Sequence, residues 1–190
     1  MASLGLVVLG ASVLLSRGAG ASLILALDLP SMVSRADNVA VVDVMSVKSA
    51  WDARHERILT TVDMAVVESW KGPMAPAAHV SVVQRGGTVD DTEMIVFGMP
   101  RFATGERALV FLAGRPERAS VVGMAQGKRL LQREAATGRW MVGVPDRAGA
   151  TFVPPSPATP AAPVFEIRAR PLEELRDQVK ALAASTGKVP

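Results

Sequence analysis

The sequence predicts a mainly-β domain, a small OB-like barrel or sandwich with a short N-terminal helix and a docked C-terminal helix. Three observations point there. Valine dominates the central region, and β-branched side chains suit a pleated, half-buried surface. Short apolar runs alternate with breaks containing Gly or Pro, the pattern of many short strands. The period changes to that of a helix only near the ends. Leu29, Met32, Val33 and Ala36 stand at i, i+3, i+4 and i+7, and Leu172, Leu175, Val179 and Leu182 form a second stripe.

Composition sets the building material. A length of 190 residues fits one domain with tails. Hydrophobic residues make up 49% of the chain but aromatics only 4%, and Tyr is absent, so the core must come from Val, Leu, Ala and Met. The absence of cysteine excludes disulfides, thiolate metal sites, a thiol nucleophile and a lipid-modified N-terminal cysteine. A formal charge of +3, from 21 basic and 18 acidic residues, is too mild an excess for a polyanion-binding surface.

The N-terminus reads as an export signal. Leu4 to Leu15 is a continuous apolar run, too short for a helix to span a bilayer of about 30 Å. Ala19 and Ala21 fit the small-residue pattern of signal peptidase, which places cleavage before Ser22. No Lys or Arg precedes the run, and retention as a membrane anchor is the alternative; membrane contact is expected only through this segment, if it is uncleaved. The chain divides into a signal peptide at 1–21, a β-domain at 22–144, a Pro/Ala-rich linker or loop at 145–163 and a terminal strand and helix at 164–190.

Within the β-domain, Leu29 to Ala36 reads as a two-turn helix and Asn38 to Val47 as a first strand. The charged stretch Trp51 to Arg57 reads as a hairpin tip. From Arg57 to Trp70 the alternation is clearest, with Ile58, Thr60, Val62, Met64 and Val66 on one face and Thr61 and Asp63 on the other. Further strands are expected at His79–Gln84, Met94–Phe97, Ala108–Leu112, Ser120–Met124, Arg129–Gln132 and Arg139–Val144, with a loop from Gly98 to Gly105. Thr151 to Pro163 holds five prolines and no charge, which reads as a solvated linker unable to pair in a sheet. The last helix is expected over Pro171 to Ala184.

Motif chemistry is sparse, and no catalytic, cofactor-binding or metal-ligating residue is assigned. The two histidines, His55 and His79, fall in different elements, and no H-E-x-x-H spacing exists. A G-x-S-x-G elbow, a Walker loop and a strand-linked G-x-G-x-x-G are all missing. Asp90, Asp91 and Glu93 cluster without the spacing that wraps Ca²⁺, and a solvated loop is the plainer reading. Glu68 keeps phase with the buried face of its strand, so it needs a bulge, an ionic partner or a proton. Basic residues at 101, 107, 115, 118, 128, 129, 133 and 139 would make a modest anion-attracting patch if they shared a face. Without paired aromatics on a strand, nucleic acid is not expected as a partner.

Several phrases together carry a resemblance. They are Ala36-Asp37, Thr60 through Glu68 leading into Trp70-Lys71-Gly72, Gly86-Gly87, Gly98-Met99-Pro100-Arg101-Phe102, Gly105-Glu106-Arg107 before Val110-Phe111-Leu112, and Gln126-Gly127-Lys128. In these the chain resembles a family of exported bacterial β-domains, found alone or beside secreted metalloprotease domains, for which no activity is established. The order of elements is also faintly similar to the netrin-like, OB-type barrel of the tissue inhibitors of metalloproteinases. That likeness would imply an inhibitor, but its zinc-chelating N-terminal cysteine and its disulfides have no counterpart here. The expectation is a secreted or periplasmic, non-enzymatic binding or structural domain without a cofactor, whose partner is an unidentified protein or extracellular ligand. A protease-associated inhibitor or chaperone-like module, and a hydrolase using Glu68 or the acidic cluster, are the alternatives.

Overall fold

The computed structural model describes residues 23–153 and 168–186. The signal segment, the cleavage point at Ser22 and the run from Pro154 to Pro163 lie outside the described residues. The chain is mainly β. In order, its strands are β1 (Leu23–Leu25), β2 (Asn38–Trp51), β3 (Ile58–Lys71), β4 (His79–Arg85), β5 (Gly87–Val89), β6 (Thr92–Met94) and β7 (Arg107–Ala113). They continue with β8 (Ser120–Val121), β9 (Lys128–Arg133), β10 (Trp140–Val142), β11 (Thr151–Val153) and β12 (Arg170–Pro171). Helix α1 (Leu29–Arg35) precedes β2, and α2 (Leu172–Thr186) ends the described chain.

Eight strands form one antiparallel sheet in the order β12-β10-β9-β7-β2-β3-β4, with β8 hung on β7. The sheet curls. Beyond β7 the chain makes a 3-10 turn at Pro116–Arg118, and Ala119 then bridges Val82 of β4, its N–H donating to Ser81 O at 2.9 Å. This bridge is the one point where the curled rims meet among the described residues, so the sheet stops short of the closed barrel that was one expected form.

Alternation along the strands builds two cores on opposite faces. The inner, concave face carries Ala40, Val42 and Val44 of β2, Val62, Met64 and Val66 of β3, and Ala108, Val110 and Leu112 of β7. The outer face carries Val39, Val41, Leu109 and Phe111, covered by Met32 and Val33 of α1 and Leu175 and Val179 of α2. Five consecutive residues of β7 are fully buried because both of its faces are covered. Leu175 and Val179 have no exposed surface, so α2 docks on the domain as its narrow stripe predicts.

The expected face of β3 is the inner one: Ile58, Thr60, Val62, Met64 and Val66 are all buried. The phase then inverts. Val41 pairs Glu68 while Val42 pairs Val66, which leaves Val67 as the extra residue of a bulge. Glu68 is thereby turned to the outer face, where Lys180 and Arg176 of α2 approach its Oε1 at 3.5 and 3.9 Å. Lys71 follows on the same side and donates to Val33 O and Ala36 O at 2.7 and 2.6 Å, a cation on the carbonyl end of α1. At the other end of α1, Asp28 Oδ1 accepts from Ser31 N at 2.8 Å, and hydrogen bonding from the Ser31 side chain and then from its backbone N–H holds the Asp28 carboxyl below its usual value.

Three expectations are corrected. No strand runs from Met94 to Phe97; instead β5 and β6 form a small hairpin whose two-residue turn is Asp90-Asp91, with Asp90 at φ 50°. Asp tolerates this left-handed turn position, so the acidic cluster is a solvated turn. Ser120–Met124 is cut to two paired residues because the chain enters a second 3-10 turn, Met124–Gly127. Thr151 to Val153, read as linker, pairs in parallel with β1, Leu23–Leu25. None of those three is proline, so the ladder donors that the following segment lacks are still present there.

Candidate functional site

Beyond the inner core, between the outer half of the β2–β3 hairpin and the chain from Gly86 to Phe102, lies a cavity of about 370 Å³. Its floor is Val47 and Ser49 of β2 with Thr60 and Val62 of β3, and its walls come from residues 84–87, 93–96 and 99–102. Thr60, Gly86-Gly87 and Met99 to Phe102, distant in sequence, converge on this spot, whereas Ala36 and Lys71 meet beside α1. The convergence is held by backbone anchors.

Thr60 Oγ1 donates to Gly86 O at 2.5 Å and is 2.8 Å from Ser49 Oγ. Since Gly86 O only accepts, the single hydroxyl proton of Thr60 is committed to it, and the proton between the two hydroxyls must come from Ser49. Ser49 Oγ is left presenting lone pairs. Gly87 allows this crossing: with φ 131°, its absent β-carbon would lie 2.3 Å from both hydroxyl oxygens. Gln84 Nε2 donates to Pro100 O at 2.8 Å, which fixes the amide orientation, and its Oε1, shielded from solvent, has no hydrogen-bond partner among the described residues.

The far wall is tied down by Lys128, whose Nζ lies 2.8 Å from both Arg101 O and Glu106 Oε1 and 5.3 Å from the Phe102 ring centroid. Both members of the Lys128–Glu106 pair are nearly buried, so each holds the other in place against a desolvation cost. Gln126 does the same for the chain entry: Oε1 accepts from Leu27 N, and Nε2 donates to Leu25 O and Gly123 O. Gly98, at φ 83°, approaches Ile24 where no β-carbon would fit. The segment 98–102 is thus clamped from β1, β4 and β9. It presents Arg101 to the cavity, which Arg85 also lines, and both residues are exposed with no ionic partner among the described residues.

Of the residues singled out in the sequence, Arg101 and Glu93 line this cavity and Lys128 braces its wall, while the others lie elsewhere. Glu93 lines the rim and is exposed. Glu68 sits on the opposite face of the sheet with α2. His55 stacks on Trp51 at the hairpin tip, 5.2 Å between centroids, and His79 at the start of β4 lies 3.6 Å from Asp63 Oδ1. The eight basic residues share no face. Arg107 makes a two-point pair with Asp43 at 2.7 and 2.8 Å, Lys128 pairs Glu106, and Arg139 pairs Glu173 of α2. Arg129 is buried, which together with the nearby charge of Arg170 pushes its guanidinium down to about 10, still charged at neutral pH. Arg107 and Arg133 stack against Trp140, 5.1 and 4.9 Å from the ring, and form an open shelf with Asp43 and Met45 on the outer face. That shelf has its charges and its aromatic ring already engaged, whereas the inner cavity keeps two guanidiniums, Arg85 and Arg101, without an ionic partner among the described residues.

Among the described residues no group of His, Asp and Glu side chains is placed to hold a metal ion, and no helix is long and apolar enough to cross a membrane. Sequence reasoning missed Ser49 and Gln84 as site residues, because each is a single polar residue in a strand and carries no periodic signal, and it counted Lys128 only among the basic residues and the shared phrases. Gly86-Gly87 beside a threonine-bearing strand was the available clue. Compared with family models, curated proteins and solved structures, the chain has no significant match in any of the three. The chemistry of the cavity is therefore the ground on which a function is argued.

Proposed function

We propose that the chain is an exported, non-catalytic binding domain whose ligand seats in the cavity between the β2–β3 hairpin and residues 86–102. The observation that carries the reading is the lining of that cavity. It combines apolar walls with a few fixed polar groups, at a volume of about 370 Å³, within the range of about 300–1,000 Å³ common for small-ligand sites. Its ionisable members are Glu93, Arg85 and Arg101. Guanidiniums hold their protons throughout the physiological range, and Glu93 has no lysine, histidine or second acid beside it in the lining. Ser49 spends its proton on Thr60, which has passed its own to a carbonyl, so the hydroxyl pair has no base to activate it. Such a set recognises; it does not move protons.

The test is native mass spectrometry of residues 22–190 after incubation with concentrated culture supernatant of the source organism. A bound mass is expected on the wild type and not on Ser49→Phe, whose ring fills the floor, provided the variant keeps its circular dichroism and melting profile. A mass retained by both proteins, or chemical turnover of the bound compound, would sink the reading.

A further inference from the structure

We propose that the cavity takes the carboxylate end of a short peptide with an aliphatic last residue, an assignment that rests on the binding reading above. Three sets of groups select this chemistry. The floor presents an acceptor whose own proton is already spent, Ser49 Oγ, by the proton accounting already given. A ligand must supply N–H or O–H groups there, since a buried acceptor left unpaired is costly. The rim presents two unpaired guanidiniums, Arg85 and Arg101, against the single carboxylate of Glu93, a net positive edge suited to two-point recognition of a carboxylate. The remaining wall is aliphatic and adaptable, with Met94, Val96 and Met99.

Two rival ligand types fit less well. A fatty carboxylate would satisfy the rim and the apolar wall but bring no donor to Ser49. A sugar acid would bring donors, but a pyranose ring needs an exposed aromatic face, and the one aromatic in the lining, Phe102, is half-buried with the Lys128 ammonium over its ring. A peptide end meets all three requirements at once: a backbone N–H for Ser49 Oγ, the terminal carboxylate for the guanidiniums, an aliphatic side chain for the methionines. The cavity volume of about 370 Å³ admits one or two residues, and the rest of the peptide would extend into solvent. The clamp from Lys128 and Gln84 on Arg101 O and Pro100 O keeps the rim in place before the ligand arrives.

The experiment is isothermal titration of the intact mature chain with four probes: N-acetyl-Ala-Ala-Leu as the free acid, the same peptide as its C-terminal amide, galacturonate and decanoate. The free acid is expected to bind at least about tenfold more tightly than the amide, the loss that follows from removing one charge-assisted contact. Arg85→Gln/Arg101→Gln, both at exposed positions, should melt like the wild type and lose the preference for the acid. Ser49→Ala should weaken acid and amide alike, since it removes an acceptor that both use. Equal binding of acid and amide, tighter binding of galacturonate or decanoate, or no binding of any probe would overturn the assignment. Should the supernatant adduct persist while the four probes fail, the ligand class alone is wrong; loss of both removes the binding reading with it.

Discussion

A β-carbon on Gly87 would lie 2.3 Å from Ser49 Oγ and Thr60 Oγ1, at a φ of 131° that side chains with a β-carbon rarely adopt. Gly105 offers the contrast, with φ 85° and nothing within 4 Å of where its β-carbon would be. Both substitutions to alanine carry a backbone cost of about 1–3 kcal/mol, but only Gly87→Ala also breaks the hydroxyl pair beneath it. In urea unfolding Gly87→Ala should therefore lose more stability than Gly105→Ala; equal losses would mean that the hydroxyl crossing is not as tight as described. Asp43 gives a second residue-scale test. Its hydrogen bonds to Arg107 hold its carboxyl below the ordinary 3.8. A depressed folded value stabilises the native state above the unfolded pKa, and the contribution disappears as pH falls through the folded one. Asp43→Asn should thus melt below the wild type at about pH 6–7 and converge with it by about pH 2–3. A gap that widens towards acid would contradict the pairing. At this scale the sequence was least informative. Glu68 was in phase with a buried face, and only the bulge at Val67, which pairing with β2 imposes, shows that it belongs to α2 instead.

Elements were more legible where a period ran long enough to be read. β3 has five in-phase members, and α1 and α2 each show a stripe, so their type, faces and approximate ends follow from spacing. The strongest check of that register compares neighbours. Met64 is fully buried in the inner core, while Asp63 is half-buried on the other face, accepting from Ser46 Oγ at 3.0 Å. Met64→Ala should cost about 2–5 kcal/mol, and Asp63→Ala about 1 kcal/mol for its lost hydrogen bond. Similar losses in denaturant unfolding would mean that both faces are equally buried, and the reverse order that the strand is turned over. Elements of two or three residues escaped the reading or were misplaced, because no period can be counted over β1, β5, β6 or β11. Thr151 to Val153 was concealed by the prolines that follow it, and its partner Leu23–Leu25 by the apolar run that precedes it.

For the whole molecule, the curl of one sheet creates both the inner core and the open end where the cavity lies, while the helices are confined to the outer face. Composition and pattern carry the class, mainly β with a helix at either end. They do not carry the curl, which depends on bulges at Met45, Val67 and Trp70 and on the single bridge between Ala119 and Val82. Nor do they carry the convergence of residues 49, 60, 84–87 and 98–102, which are brought together by pairing across β2, β3 and β4 and by the clamps of Lys128 and Gln126. The central claim is that recognition takes place at this end of the sheet and on its inner face. Amide chemical-shift mapping of the uniformly ¹⁵N-labelled chain, titrated with fractionated supernatant, addresses it directly. Perturbations should cluster on Val47, Ser49 and Thr60 and on residues 84–87 and 93–102, and leave α2 and the shelf around Met45 and Trp140 unmoved; perturbations centred on that shelf or on α2 would contradict the account.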